Sequence, residues 1–200
     1  MILTSGERML QRHDLYFFVC PPRHVAERAF GLLNGLELTP CPWRAAPMPA
    51  ARLHITLEKL GQFWGAIPRD TVDKALVAAN YVAFEPFDVT FDRVEYSGGA
   101  DGCGMAWLTG RSWGLRGIRG LEHTLAHAML RAGFPESQIR TRFHPHVTLN
   151  YRHEPFDRCA VAPLAWRVNQ FMLVDSWYGL GRHDLLGCWS LSPRQLPLPW

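Results

Sequence analysis

The chain has 200 residues, of which 48% are hydrophobic and 20% are charged, and its formal net charge is +3. A chain this apolar can bury a sizeable core, which excludes a disordered protein, and its length suits one compact domain. The small positive charge permits an anionic partner without requiring one.

The cysteines and the N-terminal segment bear on the cellular compartment. The five cysteines are scattered and contain no C-x-x-C pair: Cys20, Cys41, Cys103, Cys159 and Cys188. We therefore expect free thiols in a reducing compartment. The N-terminal segment is interrupted by charges, and its apolar run LYFFVC is too short to cross a bilayer. These features predict a cytoplasmic protein without a membrane partner.

The first half of the chain alternates predicted strands and helices. Residues 14–20, DLYFFVC, are aromatic and β-branched and are closed by two prolines, which indicates a buried strand. Apolar residues recur at helical spacing over 25–36, and Pro68 begins a second predicted helix. Between these helices, the four prolines of 37–51 predict a surface loop, and 52–60 is predicted to be a strand.

The second half begins with a predicted hairpin, made of a strand over 86–96, a glycine-rich turn and a return strand at 105–110. A long amphipathic helix is predicted over 115–133, followed by a strand at 145–151. Strands at about 166–175 and 185–191 close the chain. Because strands and helices mix without strict β-α-β alternation, the order favours an α+β fold over a doubly wound sheet.

The sequence His-x-Thr-Leu occurs twice, as HITL at 54–57 and as HVTL at 146–149. In a random chain of this length and composition, the expected number of His-x-Thr-Leu segments is only about 0.05. Chance is therefore a poor explanation for two copies. Alternate side chains of a strand share a face, so His54 lies beside Thr56 and His146 lies beside Thr148. If the two faces line one groove, two imidazoles and two hydroxyls meet there.

Such a group of side chains suits a phosphodiester. A neutral imidazole can remove a proton from water or from a ribose hydroxyl, while an imidazolium protonates the leaving oxygen. An ordinary histidine pKa near 6.5 allows both forms around neutral pH. The threonine hydroxyls can donate hydrogen bonds to the phosphate oxygens. We therefore predict that His54, Thr56, His146 and Thr148 are catalytic and that neither a metal nor a cofactor is needed.

These motifs closely resemble those of the 2H phosphoesterase superfamily and, within it, the 2'-5' RNA ligase or RNA 2',3'-cyclic phosphodiesterase family. The resemblance lies in LHITLEKLG, in FHPHVTLNYR, in the opening YFFV strand with its following proline and in the late LVDSWYG. It covers nearly the whole chain. It implies one bilobal α+β domain over 1–200, with two antiparallel-sheet lobes, pseudo-twofold symmetry, helices on the outer faces and a central cleft.

The resemblance also implies a reaction, which is hydrolysis of 2',3'-cyclic phosphate ends of RNA or nucleotides to 2'-phosphates, sometimes with reversible 2'-5' joining. His54 would be the acid on the 3' oxygen, His146 would be the base for water, and Thr56 and Thr148 would hold the phosphate. Two alternatives remain open. One is a phosphodiesterase for 2'-5' oligonucleotides or small nucleotide-derived cyclic phosphates, and the other is a non-catalytic RNA-end binding protein. Because no apolar seam is evident, we expect a monomer.

Two positions depart from the family pattern. Many relatives carry a basic residue directly after the first motif, where this chain has Glu58, and an Arg often lies two places after the second motif, where it has Tyr151. In a regular strand Glu58 would face the same way as His54 and Thr56, where a carboxylate would repel a phosphate. Either Glu58 pairs with an arginine or the strand bends after Leu57.

Four further residues are candidates for substrate binding. Arg142 and Arg152 flank the second motif and could reach RNA phosphates. His144 shares the His146 face by alternation and could assist them. Trp43, in the proline-rich loop, could stack on a base. Other aromatic residues could also stack but are better explained as core or lobe-interface residues: Tyr16, Trp64, Trp107, Trp177 and Tyr178.

One histidine pair has the spacing of a zinc site. His123 and His127 are separated by four residues, but Thr124 stands where zinc proteases of this pattern carry a glutamate. Both histidines lie on the helix face opposite the apolar stripe. We therefore predict a solvated basic face and no metal site.

Overall fold

The computed structural model describes residues 11–36, 47–98 and 102–192. Within these ranges the chain forms eight strands, three α-helices and two 3₁₀ turns. In chain order they are β1 Arg12–Val19, α1 Arg23–Gly35, a 3₁₀ turn Ala50–Arg52, β2 Ile55–Trp64, α2 Arg69–Asn80, β3 Phe87–Ser97, β4 Gly104–Thr109, α3 Arg116–Arg131, a 3₁₀ turn Glu136–Gln138, β5 Val147–His153, β6 Cys159–Val168, β7 Gln170–Trp177 and β8 Arg182–Ser190.

The strands form two four-stranded antiparallel sheets, one in each lobe. The strand orders are β2-β1-β7-β8 and β5-β4-β3-β6. Each sheet carries its His-x-Thr-Leu strand at one edge, and these two edge strands contact each other. The predicted bilobal α+β fold with a central cleft is therefore confirmed.

The helices pack their apolar faces on the sheets, and buried residues of both lobes form one continuous core. In α3 the stripe of Ile118, Leu121, Leu125 and Met129 has no exposed surface, as its spacing predicts. Each such side chain stabilises the fold by about 1.5–3 kcal/mol relative to exposure. The helix ends in a Schellman motif, in which Gly133 at φ +89° lets the next residue bond back into the last turn.

One predicted strand was placed wrongly. A single strand was expected at 166–175, whereas β6 ends at Val168 and β7 begins at Gln170. Pro163 makes β6 hard to recognise because proline lacks the N–H that a central strand needs. The structure tolerates it because β6 is an edge strand with an irregular register opposite 91–93.

The expectation of five free thiols is also wrong. Cys103 is disulfide-bonded, whereas Cys20, Cys159 and Cys188 are free. A disulfide requires only that two thiols meet in the folded chain, and sequence spacing does not reveal this proximity. The cysteines therefore no longer support a reducing compartment. None of the helices in the described ranges is long and apolar enough to cross a membrane.

Candidate functional site

Each repeated motif stands at the start of an edge strand. His54 immediately precedes β2, and His146 immediately precedes β5. Ile55 and Leu57 are completely buried, and the residues at 147 and 149 are nearly so. The histidine and threonine of each motif remain half-buried. The apolar face of each strand therefore anchors it in the core and leaves the polar face towards the cleft, as alternation predicts.

The same backbone contact orients both imidazoles. His54 Nδ1 lies 2.7 Å from the carbonyl oxygen of Arg52, and His146 Nδ1 lies 2.7 Å from the carbonyl oxygen of His144. A carbonyl oxygen can only accept, so Nδ1 carries the proton and donates it in both contacts. Nε2 of each ring is then the nitrogen that can accept a proton, or donate one after the ring is protonated.

The His54 ring is enclosed by aromatic side chains. Ring centroids lie 5.4 Å away in Tyr16, which is stacked, 5.1 Å away in Phe18 and 5.7 Å away in His183. Burial lowers the pKa of His54 to about 4, and nearby positive groups, including Arg52, act in the same direction, whereas the Nδ1 hydrogen bond opposes them. His54 is therefore neutral in the free protein at neutral pH.

His146 has a different environment. Its ring centroid lies 4.5 Å from that of Trp107, and the pKa of His146 is also lowered. Burial is the largest cause, the hydrogen bond to the His144 carbonyl opposes it, and the charges of His144 and Arg140 lower the pKa further. Both imidazoles of the repeated motif are thus biased towards the neutral form.

The two histidines belong to one site. The charge of His146 is among those that lower the pKa of His54, and β2 contacts β5 directly. The segment before the first motif also bonds to the second motif, because the Met48 N–H donates to the Leu149 carbonyl at 2.8 Å. The threonines follow two residues after each histidine, and the Thr148 side chain hydrogen-bonds to Tyr151.

Glu58 turns away from the cleft. Thr56 pairs with Phe18, but Glu58 pairs with Phe17, so Leu57 is an extra residue that forms a bulge in β2. The bulge places Glu58 on the core side, where it is 1% exposed and lies 3.4 Å from Arg140 Nε. Both expected alternatives, the arginine partner and the bend after Leu57, therefore occur.

The predicted substrate-binding residues have different positions. His144 is exposed at the rim, with its ring 5.3 Å from Trp107 and its Nε2 4.0 Å from a Glu95 carboxylate oxygen. Arg142 is exposed close by in sequence. The backbone of Arg152 lies in β5, whereas its side chain and all of Trp43 lie outside what the structure describes. Their contacts with substrate stay predictions.

No metal-binding cluster is present among the described residues. His123 and His127 approach each other, with 3.2 Å between their Nε2 atoms, on the exposed face of α3. No third metal-ligating side chain joins this pair in the part of the chain that the structure describes.

The structure adds two cleft residues that the motifs did not indicate. His183 reaches the His54 ring because β8 pairs with β7 and β7 pairs with β1, and no local sequence pattern reports this arrangement. Arg52 lies two residues before His54 but ends a 3₁₀ turn, so the alternation of side chains along a strand does not place it at the cleft.

No protein-family model matches the chain, and no curated protein sequence matches it. Solved structures do match. A structure of E. coli LigT with 3'-AMP shares 24% identity over 91% of this chain and 99% of that chain, with a TM-score of 0.68. The chain has the LigT fold. The protein TT0787 of Thermus thermophilus has the same fold, with 21% identity, 90% and 99% coverage and a TM-score of 0.70.

A further match is described as a phosphoesterase, with 24% identity, 91% and 99% coverage and a TM-score of 0.68. This description agrees with the 2H phosphoesterase resemblance of the motifs. At these identities the LigT fold is established for the chain, while activity has to be argued from the site itself.

Proposed function

We propose that this chain is a phosphodiesterase that hydrolyses 2',3'-cyclic phosphate ends of RNA or nucleotides to 2'-phosphates and needs no metal ion. The observation that carries the proposal is the matched orientation of His54 and His146. Each ring donates its Nδ1 proton to the carbonyl two residues earlier, which leaves two Nε2 atoms for proton transfer in one cleft.

The proposed reaction needs one neutral and one protonated imidazole. Nε2 of neutral His146 takes a proton from water as the water oxygen bonds to phosphorus. The bond from phosphorus to the 3' oxygen breaks, and that oxygen takes the proton of His54 Nε2. The product carries a 2'-phosphate and a free 3' hydroxyl, and solvent resets the two imidazoles for the next turnover. The assignment of acid and base follows the family resemblance.

Thr56 and Thr148 are proposed to donate hydrogen bonds to the non-bridging phosphate oxygens, where negative charge grows in the transition state. Burial strengthens such bonds because water competes less inside the cleft. The neighbours in the fold comparison support a nucleotide substrate, since E. coli LigT was crystallised with ATP, with 3'-AMP and with NADP+.

The pKa shifts predict an acidic pH optimum for kcat/KM. The value of kcat/KM is greatest at a pH between the pKa values of the two histidines in the free enzyme. Both of these pKa values are lowered, and that of His54 is lowered to about 4. The optimum is therefore expected below pH 6.5. The negative charge of the bound cyclic phosphodiester favours the imidazolium, so the kcat profile should lie at higher pH than the kcat/KM profile.

Phosphorus NMR tests the activity most directly. A short RNA ending in a 2',3'-cyclic phosphate is incubated with the protein in EDTA. We expect the cyclic signal to disappear while a 2'-phosphomonoester signal grows. Binding of the RNA without any change in the spectrum would contradict the proposal and favour an RNA-end binding protein. A 3'-phosphomonoester would contradict the assignment of the bond cleaved.

A further inference from the structure

Arg52 is a half-buried cation without a counter-ion in the described structure. The other half-buried arginines each lie close to a carboxylate: Arg12 to Asp14 at 3.1 Å, Arg93 to Asp92 at 3.0 Å and Arg140 to Glu58 at 3.4 Å. No carboxylate among the described residues pairs with Arg52, and its Nε is buried without a hydrogen-bond partner there. Arginine is the planar cation best suited to bind an anion through two hydrogen bonds.

The Arg52 side chain lies at the cleft, next to the catalytic histidine. Its Nη1 would be 3.4 Å from a Cβ atom placed on Gly181, at the turn that leads into β8. Its charge lowers the pKa of both His54 and His183, and it also acts on Tyr151, which follows the second motif in the other lobe. Arg52 therefore faces the space that both lobes border.

Arg52 and Thr56 lie on opposite sides of His54 along the chain. Arg52 ends the 3₁₀ turn two residues before His54, whereas Thr56 lies in β2 two residues after it. The phosphate that reacts belongs on the Thr56 side, between the two His-x-Thr pairs. Arg52 lies instead on the side of His54 that Gly181 and His183 border, where a neighbouring phosphate of the same nucleotide chain would bind.

We infer that Arg52 forms a second anion-binding subsite, which takes the phosphate on the 5' side of the nucleotide that carries the cyclic phosphate. This inference rests on the proposed function and specifies its substrate class: a nucleotide or RNA end with at least two phosphates. The guanidinium donates two hydrogen bonds to this phosphate, and the phosphate supplies the missing counter-ion.

The second phosphate also assists proton transfer. Arg52 opposes protonation of His54, so an anion that neutralises Arg52 removes part of this opposition. Because this neutralisation occurs only in the enzyme–substrate complex, a substrate with a 5'-phosphate should give a kcat optimum at higher pH than the same substrate without it. A purely structural role of Arg52 would not produce this difference.

The test compares adenosine 2',3'-cyclic phosphate with and without a 5'-phosphate. We expect the native enzyme to prefer the 5'-phosphorylated substrate by roughly 10- to 100-fold in kcat/KM, which corresponds to one charge-assisted contact of about 1.5–3 kcal/mol. Arg52→Met should remove this preference, and Arg52→Lys should retain part of it. Either variant keeps the backbone carbonyl that holds His54 Nδ1.

Arg167→Met is the matched control, because it also removes one positive charge, but from an exposed arginine of the edge strand β6 that pairs with Asp88 of β3. It should keep the full preference. An equal loss of kcat/KM on both substrates in Arg52→Met, or a native enzyme with no preference, would overturn the second subsite.

A binding measurement separates this inference from the proposed activity. Adenosine 2',5'-bisphosphate and adenosine 2'-phosphate are titrated into the native protein and into Arg52→Met by calorimetry. Tighter binding of the bisphosphate by about 10-fold, lost in the variant, supports the subsite even if no substrate is turned over. Equal affinities in the native protein would overturn it, even if the enzyme hydrolyses cyclic phosphates.

Discussion

The two His-x-Thr-Leu segments have almost the same sequence and the same Nδ1 contact, but they lie in different surroundings. His54 is enclosed by Tyr16, Phe18 and His183, whereas His146 rests against Trp107. The stronger enclosure lowers the pKa of His54 to about 4. The repeat thus provides two imidazoles of matched orientation in unequal surroundings.

The segments also diverge after the motif. The bulge at Leu57 turns Glu58 into the core towards Arg140, whereas Tyr151 stays at the surface and bonds to Thr148. One half therefore removes a carboxylate from the cleft and the other half adds a hydroxyl to it. The difference shows that a single extra residue in a strand can reverse the direction of a charged side chain.

The largest expected effect comes from removing either imidazole. His54→Ala and His146→Ala should each lower kcat by roughly 10²- to 10⁴-fold, because each removes one proton-transfer partner. The double variant should be little slower than the worse single variant, since the two groups act as a unit. Initial rates on a cyclic-phosphate RNA, with circular dichroism as a check of folding, measure this. Near-normal turnover by either single variant would refute the scheme.

The threonines should show a smaller effect. Thr56→Val and Thr148→Val keep the shape but remove the hydroxyl, and we expect each to lower kcat by roughly 10- to 100-fold through the loss of one bond to the phosphate. Tyr151→Phe should lower kcat by less than either threonine variant does. It should do so only when Thr148 is present, because the Tyr151 hydroxyl acts through its hydrogen bond to Thr148. Equal effects of Tyr151→Phe with and without the Thr148 hydroxyl would show that their hydrogen bond does not matter for turnover.

The lowered pKa of His54 should also appear in stability. The pKa of His54 is about 4 when folded and near 6.5 when unfolded, so the unfolded chain takes up a proton first as the pH falls. Stability due to neutral His54 is present above pH 6.5 and is lost towards pH 4. The free energy of unfolding should fall between pH 7.5 and pH 5 in both proteins. In His54→Gln this fall should be smaller than in the native protein by roughly 1–2 kcal/mol. Urea unfolding at both pH values measures it, and identical losses would contradict it.

Glu58 should give the smallest effect, with the opposite sign. Burial raises its pKa to about 7, and the carboxyl of Glu122 adds to this, whereas Arg140 opposes it. The folded protein then holds a proton that it loses as the pH rises through 7, so stability falls by about 1 kcal/mol between pH 6 and 8. Glu58→Gln should flatten this part of the urea-unfolding profile. An unchanged slope would show that Glu58 is already ionised at pH 6.

Local periodicity predicted much of the fold because it depends on neighbouring residues. The stripe of α3 from Ile118 to Met129 repeats at 3.6 residues, and the alternation of Ile55 and Leu57 with half-buried residues repeats at two. Pro163 argues locally against a strand, but the edge position of β6 in the sheet tolerates a proline. The sequence pattern alone therefore gives the wrong boundary for this strand.

The sequence by itself determined the two His-x-Thr-Leu motifs, the faces their residues share and the α+β character of the fold, since each follows from spacing along the chain. Only the tertiary structure decided that the motif strands meet, that Glu58 leaves the cleft and that Arg52 and His183 border it. These features depend on strand order, a bulge and burial, which arise from contacts between residues far apart in sequence. Such contacts set charge and proton affinity, and no short sequence pattern encodes them.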